Sequence, residues 1–140
     1  MVSHTNGKAT SAVFITFSGN CKKALTFYQS CFGGQLRLEP LEIALQAYKE
    51  IPIVSGTLIS DRITIHGSDL VHNEGRKLGN YIAVFLAFEN PSDRKKMMEK
   101  MAIPKEKLFG NDYDQKLIEI IDSFGVRWAL GVNGTRLQKV

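Results

Sequence analysis

His66 is the only imidazole on a predicted strand, and a side chain that titrates near neutrality can act as a base or as a hydrogen-bond donor. The plainer reading is a partly buried histidine bonded to the backbone. Arg127 carries the planar donor fork that clamps carboxylates and phosphates; the alternative is a strand-edge arginine reaching water. Tyr81 and Phe85 can stack on a flat ligand or serve simply as core aromatics. His4 and His72 fall in a tail and a loop and receive no role. Cys21 and Cys31 are ten residues apart on one predicted helix, roughly 15 Å by helical rise and far beyond disulfide reach. Both lie in its apolar stripe and read as buried thiols. The sequence has no nucleophile–base pair, no glycine-rich phosphate cradle and no cysteine metal spacing, so no catalytic residue is assigned.

The elements that must position these groups begin at Ser18–Gly34. Asn20 is the expected N-cap, offering its side-chain oxygen to the first-turn N–H groups. Cys21, Ala24, Leu25, Phe27, Tyr28, Cys31 and Phe32 then gather on one helical face, and Gly33-Gly34 ends the helix. Strands are expected at Ala12–Phe17 before it and from Gln35 after it. The stretch 40–50 fits a short helix or a loop. Two more strands follow, Ile53–Ile59 and from Arg62 to His66 or beyond, around a tight turn at Ser60-Asp61. After a linker (71–79) the pattern restarts. A strand over Tyr81–Phe88 precedes a helix opened by Asn90 and Pro91. Its stripe is Met97, Met98, Met101 and Ala102, with Pro104 as the stop. Lys105–Lys116 has room for a short strand at Leu108-Phe109. The last strands, Leu117–Ile121 and Arg127–Val132, flank a turn at 122–125. The expectation is an α+β chain of two βαβββ units, 11–70 and 80–133, behind a mobile tail (1–10), the second unit having a shortened third element. Helices cover one face of each curled mixed sheet, and the other faces enclose a cavity.

At 140 residues the chain suits a single domain, and 44% hydrophobic with 23% charged residues is ordinary for a globule. No apolar run approaches the roughly 20 residues of a membrane span. MVSHTNGKATS lacks the apolar core of a secretory signal, so the expected location is cytoplasmic. The net charge of +4 concentrates in Arg94-Lys95-Lys96, Lys100, Lys105 and Lys107, read as a solvated helix face. Without interleaved aromatics it does not argue for nucleic acid.

Three stretches carry a family resemblance: ITFSGNCKKALTFYQSCFGG, TIHGSDL and DSFGVRWAL. Together with the duplicated unit they resemble the vicinal oxygen chelate superfamily of glyoxalases, extradiol dioxygenases and bleomycin-resistance proteins, and within it the PhnB-like branch. The resemblance spans about residues 12–132 and departs at Lys105–Lys116, where only Phe109-Gly110 remains of a Phe-Trp-Gly element. It implies a divalent ion held by His, Glu or Gln side chains from the first and last strands of each unit. Placed strand by strand, those positions fall near Ala12, His66, Ala83 and Ala129. Alanine has no donor atom, so no metal and no cofactor is expected.

Alternation agrees with that placement. Val13, Ile15 and Phe17 should face the first helix, leaving Phe14 and Thr16 on the other face. Thr64, His66 and Ser68 follow on the fourth strand, then Tyr81, Ala83, Phe85 and Ala87 on the fifth, with Arg127 and Ala129 on the last. The ligand-binding candidates are therefore His66, Thr64, Phe14, Thr16, Tyr81, Phe85 and Arg127. Three readings compete. One is a metal-free, homodimeric protein holding a small organic molecule, and another is an enzyme with a non-standard metal site or with His66 as acid or base. In the third, inward-pointing Phe14 and Phe85 have collapsed the cavity.

Overall fold

The strand order of each half follows from one parallel pairing. In the first half, β1 (Val13–Thr16) lies parallel to β4 (Thr64–Ser68). β4 pairs antiparallel with β3 (Ile53–Ile59), and β3 with β2 (Gln35–Pro40), giving the order β1-β4-β3-β2. Helix α1 (Cys21–Phe32) makes the crossover after β1. The second half repeats this with β5 (Val84–Phe88), α2 (Pro91–Lys100), β6 (Leu108–Phe109), β7 (Leu117–Ile121) and β8 (Arg127–Val132), ordered β5-β8-β7-β6. The chain divides into units Met1–Arg76 and Lys77–Val140. The computed structural model describes residues 11–42, 51–69, 79, 81–103, 108–109 and 116–132. The expectations for the N-terminal tail, for 43–50, for most of the linker, and for His4 and His72 lie outside those residues.

In the first unit α1 buries Cys21, Ala24, Leu25, Tyr28 and Cys31, five of the seven residues of the stripe read from spacing, with Phe27 and Phe32 half-buried. It packs on Leu58 and Ile65, both fully buried, and burying one such side chain is worth roughly 1.5–3 kcal/mol. Two glycines let it sit close. Gly56 and Gly67 are cross-strand partners. A Cβ on Gly56 would come 2.6 Å from Leu25 Cδ1, and one on Gly67 would come 2.9 Å from the Phe17 ring and 3.2 Å from Cys21 Sγ. The helix ends as expected: Gly33 (φ 75°) donates to the Gln29 carbonyl. Gly34 (φ 96°) lies where a side chain would run into the Ile59 carbonyl.

Four expectations are corrected. Asn20 stands at the N-cap position of α1, but its side chain makes no capping bond. Asp69, an ionisable acceptor from the far end of β4, takes the Cys21 N–H instead (3.1 Å), and a carboxylate outcompetes an amide oxygen at the positive end of a helix. Arg94 is not on a solvated face: it is 1% exposed and its Nη1 donates to the Leu130 carbonyl at 3.2 Å. Spacing explains this, since Arg94, Met98 and Met101 recur at i, i+4 and i+7, and Met98 and Met101 are buried while Ala102 is exposed. Strand β5 starts at Val84 rather than Tyr81, because its partner β8 emerges from a turn and first pairs at Val84↔Trp128. The β3–β4 turn runs from Ser60 to Ile63, closed by Ser60 through both backbone and hydroxyl, and β4 starts at Thr64. On α2, Asn90 caps as expected, accepting from Asp93 N at 2.8 Å with Pro91 following.

Candidate functional site

The parallel and antiparallel registers place four residues in one row across the first sheet. Phe14 pairs with His66, His66 with Thr57, and Thr57 with Arg37. Neighbours in such a row share a face, and Ile65, Leu58 and Gly56 occupy the opposite face under α1. The row therefore lies on the face turned away from the helix, as alternation predicts for Phe14 and His66. Phe14 is 58% exposed. His66 Nδ1 and Thr57 Oγ1 are 3.0 Å apart, a hydrogen bond between neighbouring strands that fixes the imidazole against the sheet. Thr16 and Thr64, in register with Ser68 and Ile59, are half-buried on either side of the row. At the β2 end a groove of about 380 Å³ is lined by Arg37, Leu38, Glu39, Ser55 and Thr57.

Thr57, Arg37, Ser55 and Glu39 were not among the residues singled out from sequence. The signal was present in the alternation of Gln35-Leu36-Arg37-Leu38-Glu39, which buries the leucines partly and leaves Arg37 and Glu39 exposed. What sequence could not supply was the register that sets Arg37 opposite Thr57 and hence in line with His66.

The corresponding row of the second sheet runs Phe85, Ala129, Glu119, Phe109. Phe85 is 60% exposed, and its ring lies so close to Gly131 that a Cβ there would come within 2.9 Å. Arg127 Nη1 donates to Glu119 Oε1 at 3.2 Å, so the guanidinium proposed from sequence as an anion clamp already has a carboxylate. Tyr81 precedes β5 and is 88% exposed. Of the seven sequence candidates, the first unit brings together Phe14, Thr16, Thr64 and His66. In the second, Phe85 lies on β5 and Arg127 on β8, with Tyr81 apart from both.

Two buried carboxylates belong to the scaffold. Asp69 Oδ1 accepts from Gly19 N (2.7 Å) and Cys21 N, and Oδ2 from Ile53 N (2.9 Å). Asp122 Oδ1 accepts from Phe124 N (2.9 Å) and Val126 N (3.0 Å), and Oδ2 from the Trp128 indole (2.9 Å). The Asp of TIHGSDL and the Asp and Trp of DSFGVRWAL are thus fastenings. Cys21, free and buried as expected, is pushed up to about 12 by burial, with the Asp69 charge adding to it, which holds it as an inert thiol.

No protein-family profile matches the sequence, and no curated protein matches it. Solved structures do match in three dimensions. A Pseudomonas aeruginosa protein superposes with a TM-score of 0.68 at 18% identity, over 89% of this chain and 98% of its own. The PhnB protein from Bacillus cereus gives 0.67 at 19% identity, over 89% and 99%. The fosfomycin resistance protein FosX from Listeria monocytogenes, in complex with Mn(II) and sulfate, gives 0.55 at 10% identity, over the whole of both chains. The shared fold is the glyoxalase- and bleomycin-resistance-like arrangement of two βαβββ units.

The resemblance read from the sequence implies a metal, and the residues here do not fit one. Of the four positions expected to supply ligands, Ala12, Ala83 and Ala129 have no side-chain donor atom, which leaves the single imidazole of His66. A divalent site needs three or more nitrogen, oxygen or sulfur donors from the protein. Among the described residues no three His, Cys, Asp or Glu side chains come together as a set that could hold an ion.

Proposed function

We propose that this chain is a small-molecule-binding protein that works without a resident metal ion, and that its ligand lies on the face of the first sheet turned away from α1. One observation carries the reading: the row Phe14–His66–Thr57–Arg37 combines an exposed aromatic ring, a hydrogen-bonded imidazole and a cation on one surface. Binding sites typically pair apolar area with a few fixed polar groups in this way. The FosX neighbour is described with Mn(II); the three alanines that stand here where the sequence resemblance implies ligands favour a metal-free role. A homodimer in the cytoplasm is part of the proposal, supported by the exposed apolar side chains Tyr81 and Ile82, which a second copy would cover. Among the described residues no helix is long and apolar enough to cross a membrane.

A thermal-shift screen of small organic compounds, repeated with EDTA and after dialysis against Mn²⁺, Ni²⁺ and Zn²⁺, tests the reading. Ligand stabilisation that is indifferent to chelation supports it, because a ligand that binds only the folded state raises its stability by mass action. Near-stoichiometric metal surviving dialysis, with ligand binding lost on chelation, overturns it. The enzymatic alternative rests on His66, held at Nδ1 with Nε2 left for a substrate. Turnover abolished by His66→Ala, with ligand affinity retained, would establish that alternative.

A further inference from the structure

We infer that the ligand of the first sheet is a flat organic acid, with its ring over Phe14 and His66 and its carboxylate at Thr57 and Arg37, and that the second sheet takes no part in binding it. This rests on the binding role proposed above and specifies its chemistry. The row is ordered by polarity across four strands: phenyl on β1, imidazole on β4, hydroxyl on β3, guanidinium on β2. Three strand spacings separate its ends, about 14 Å between backbones, which side chains leaning inward reduce to the length of a bicyclic aromatic acid. Arg37 is exposed and lines the groove beside Thr57, so its planar donor fork is presented where a carboxylate can meet it.

Glu39 lines the same groove two pairs further along β2, in register with Ser55. It sets the orientation, because an anion is drawn to the Arg37–Thr57 pair and repelled from the Glu39–Ser55 pair. The second sheet lacks the gradient. Ala129 stands where His66 does, Glu119 where Thr57 does, and Arg127 is held by Glu119.

The test uses the full chain and a panel of matched acids and amides: benzoate, 2-naphthoate and indole-3-acetate, each beside its primary amide. Binding is followed by NMR titration of amide and side-chain resonances. The acids are expected to bind at least tenfold more tightly than the amides, shifting Phe14, His66 and Thr57. Arg37→Gln should remove that preference, bringing acid binding to the level of the amides. Glu39→Gln should tighten acid binding about twofold, and Arg127→Gln should leave it unaltered. Equal binding of acids and amides at these residues, insensitive to Arg37→Gln, overturns the assignment of an acid while the binding face stands. Acid binding lost with Arg127→Gln instead overturns the confinement to the first sheet. Should no member of the panel move Phe14, His66 or Thr57, both the acid and the binding face fall. Circular dichroism of each variant separates lost binding from lost fold.

Discussion

The two units share one wiring diagram and differ in what they place on it. Both run strand, helix, three strands, with a parallel first and last strand and a phenylalanine in the same register, Phe14 and Phe85. On the helix-covered face they agree in kind, with buried aliphatic and aromatic side chains in both. On the opposite face they part: His66 and Thr57 in one, Ala129 and Glu119 in the other. Packing against a helix penalises most changes, whereas the open face of a sheet tolerates them, so a repeated unit can keep its fold while its chemistry diverges.

Their buried carboxylates sharpen the contrast. Asp69 takes N–H groups 50, 48 and 16 residues away, whereas Asp122 takes groups 2, 4 and 6 residues away. Asp69 therefore joins the start of α1 to the start of β3, and Asp122 closes one hairpin. Replacing either by Asn turns one acceptor into a donor facing an N–H, which costs about 2–4 kcal/mol when buried. Asp69→Asn should sit at the upper end, because it also removes a negative charge from the helix N-terminus. Urea unfolding gives the two values, and amide exchange at Gly19, Cys21 and Ile53 localises the first loss. Asp122→Asn should instead change the emission of Trp128, the only tryptophan in the chain. A larger loss for Asp122→Asn than for Asp69→Asn would break the distinction between a long-range tie and a local one.

Glycines give the next effect in size. Gly67 and Gly131 both meet an aromatic ring at 2.9 Å from a notional Cβ, Phe17 in one case and Phe85 in the other. The rings differ in freedom: Phe17 is 1% exposed and Phe85 is 60% exposed. Gly67→Ala should thus cost about 1–3 kcal/mol through overpacking, and Gly131→Ala well under about 1 kcal/mol, since Phe85 can swing aside. Thermal and urea melts of the two variants decide it. Equal losses would mean that Phe85 is as firmly held as Phe17 and that the second unit's open face is as rigid as a core.

Most of this fold was legible in the sequence. The stripe Cys21–Leu25–Tyr28, the glycine stop, the Asn90-Pro91 start and the turn at 122–125 are local signals, and the helix period and strand alternation fix which side of each element is apolar. Three of the four failures share one cause. Asn20 lost its capping role to Asp69, which stands 49 residues away in sequence; Arg94 went inward to the Leu130 carbonyl; and β5 began late because its partner did. Each was decided by a contact distant along the chain. The candidate site divides in the same way. His66 and Phe14 could be placed by alternation alone, but Arg37 joins them only through the β2–β3 register, and the neutralisation of Arg127 only through the β7–β8 hairpin.

The smallest effect is the most discriminating for the second unit. The Arg127–Glu119 pair, with side chains 17% and 42% exposed, is only partly shielded from water. Such pairs are worth about 0.2–1 kcal/mol and weaken with salt. A double-mutant cycle of Arg127→Gln and Glu119→Gln should return a coupling in that range, falling further at 1 M salt. A coupling of zero would free the guanidinium for a ligand and erase the chemical difference between the two open faces. One above about 2 kcal/mol would make the pair a fixed strut. In the expected range it does something else: it cancels the charge on that face at little cost in stability, whereas the first unit sets the cation of Arg37 in line with its histidine.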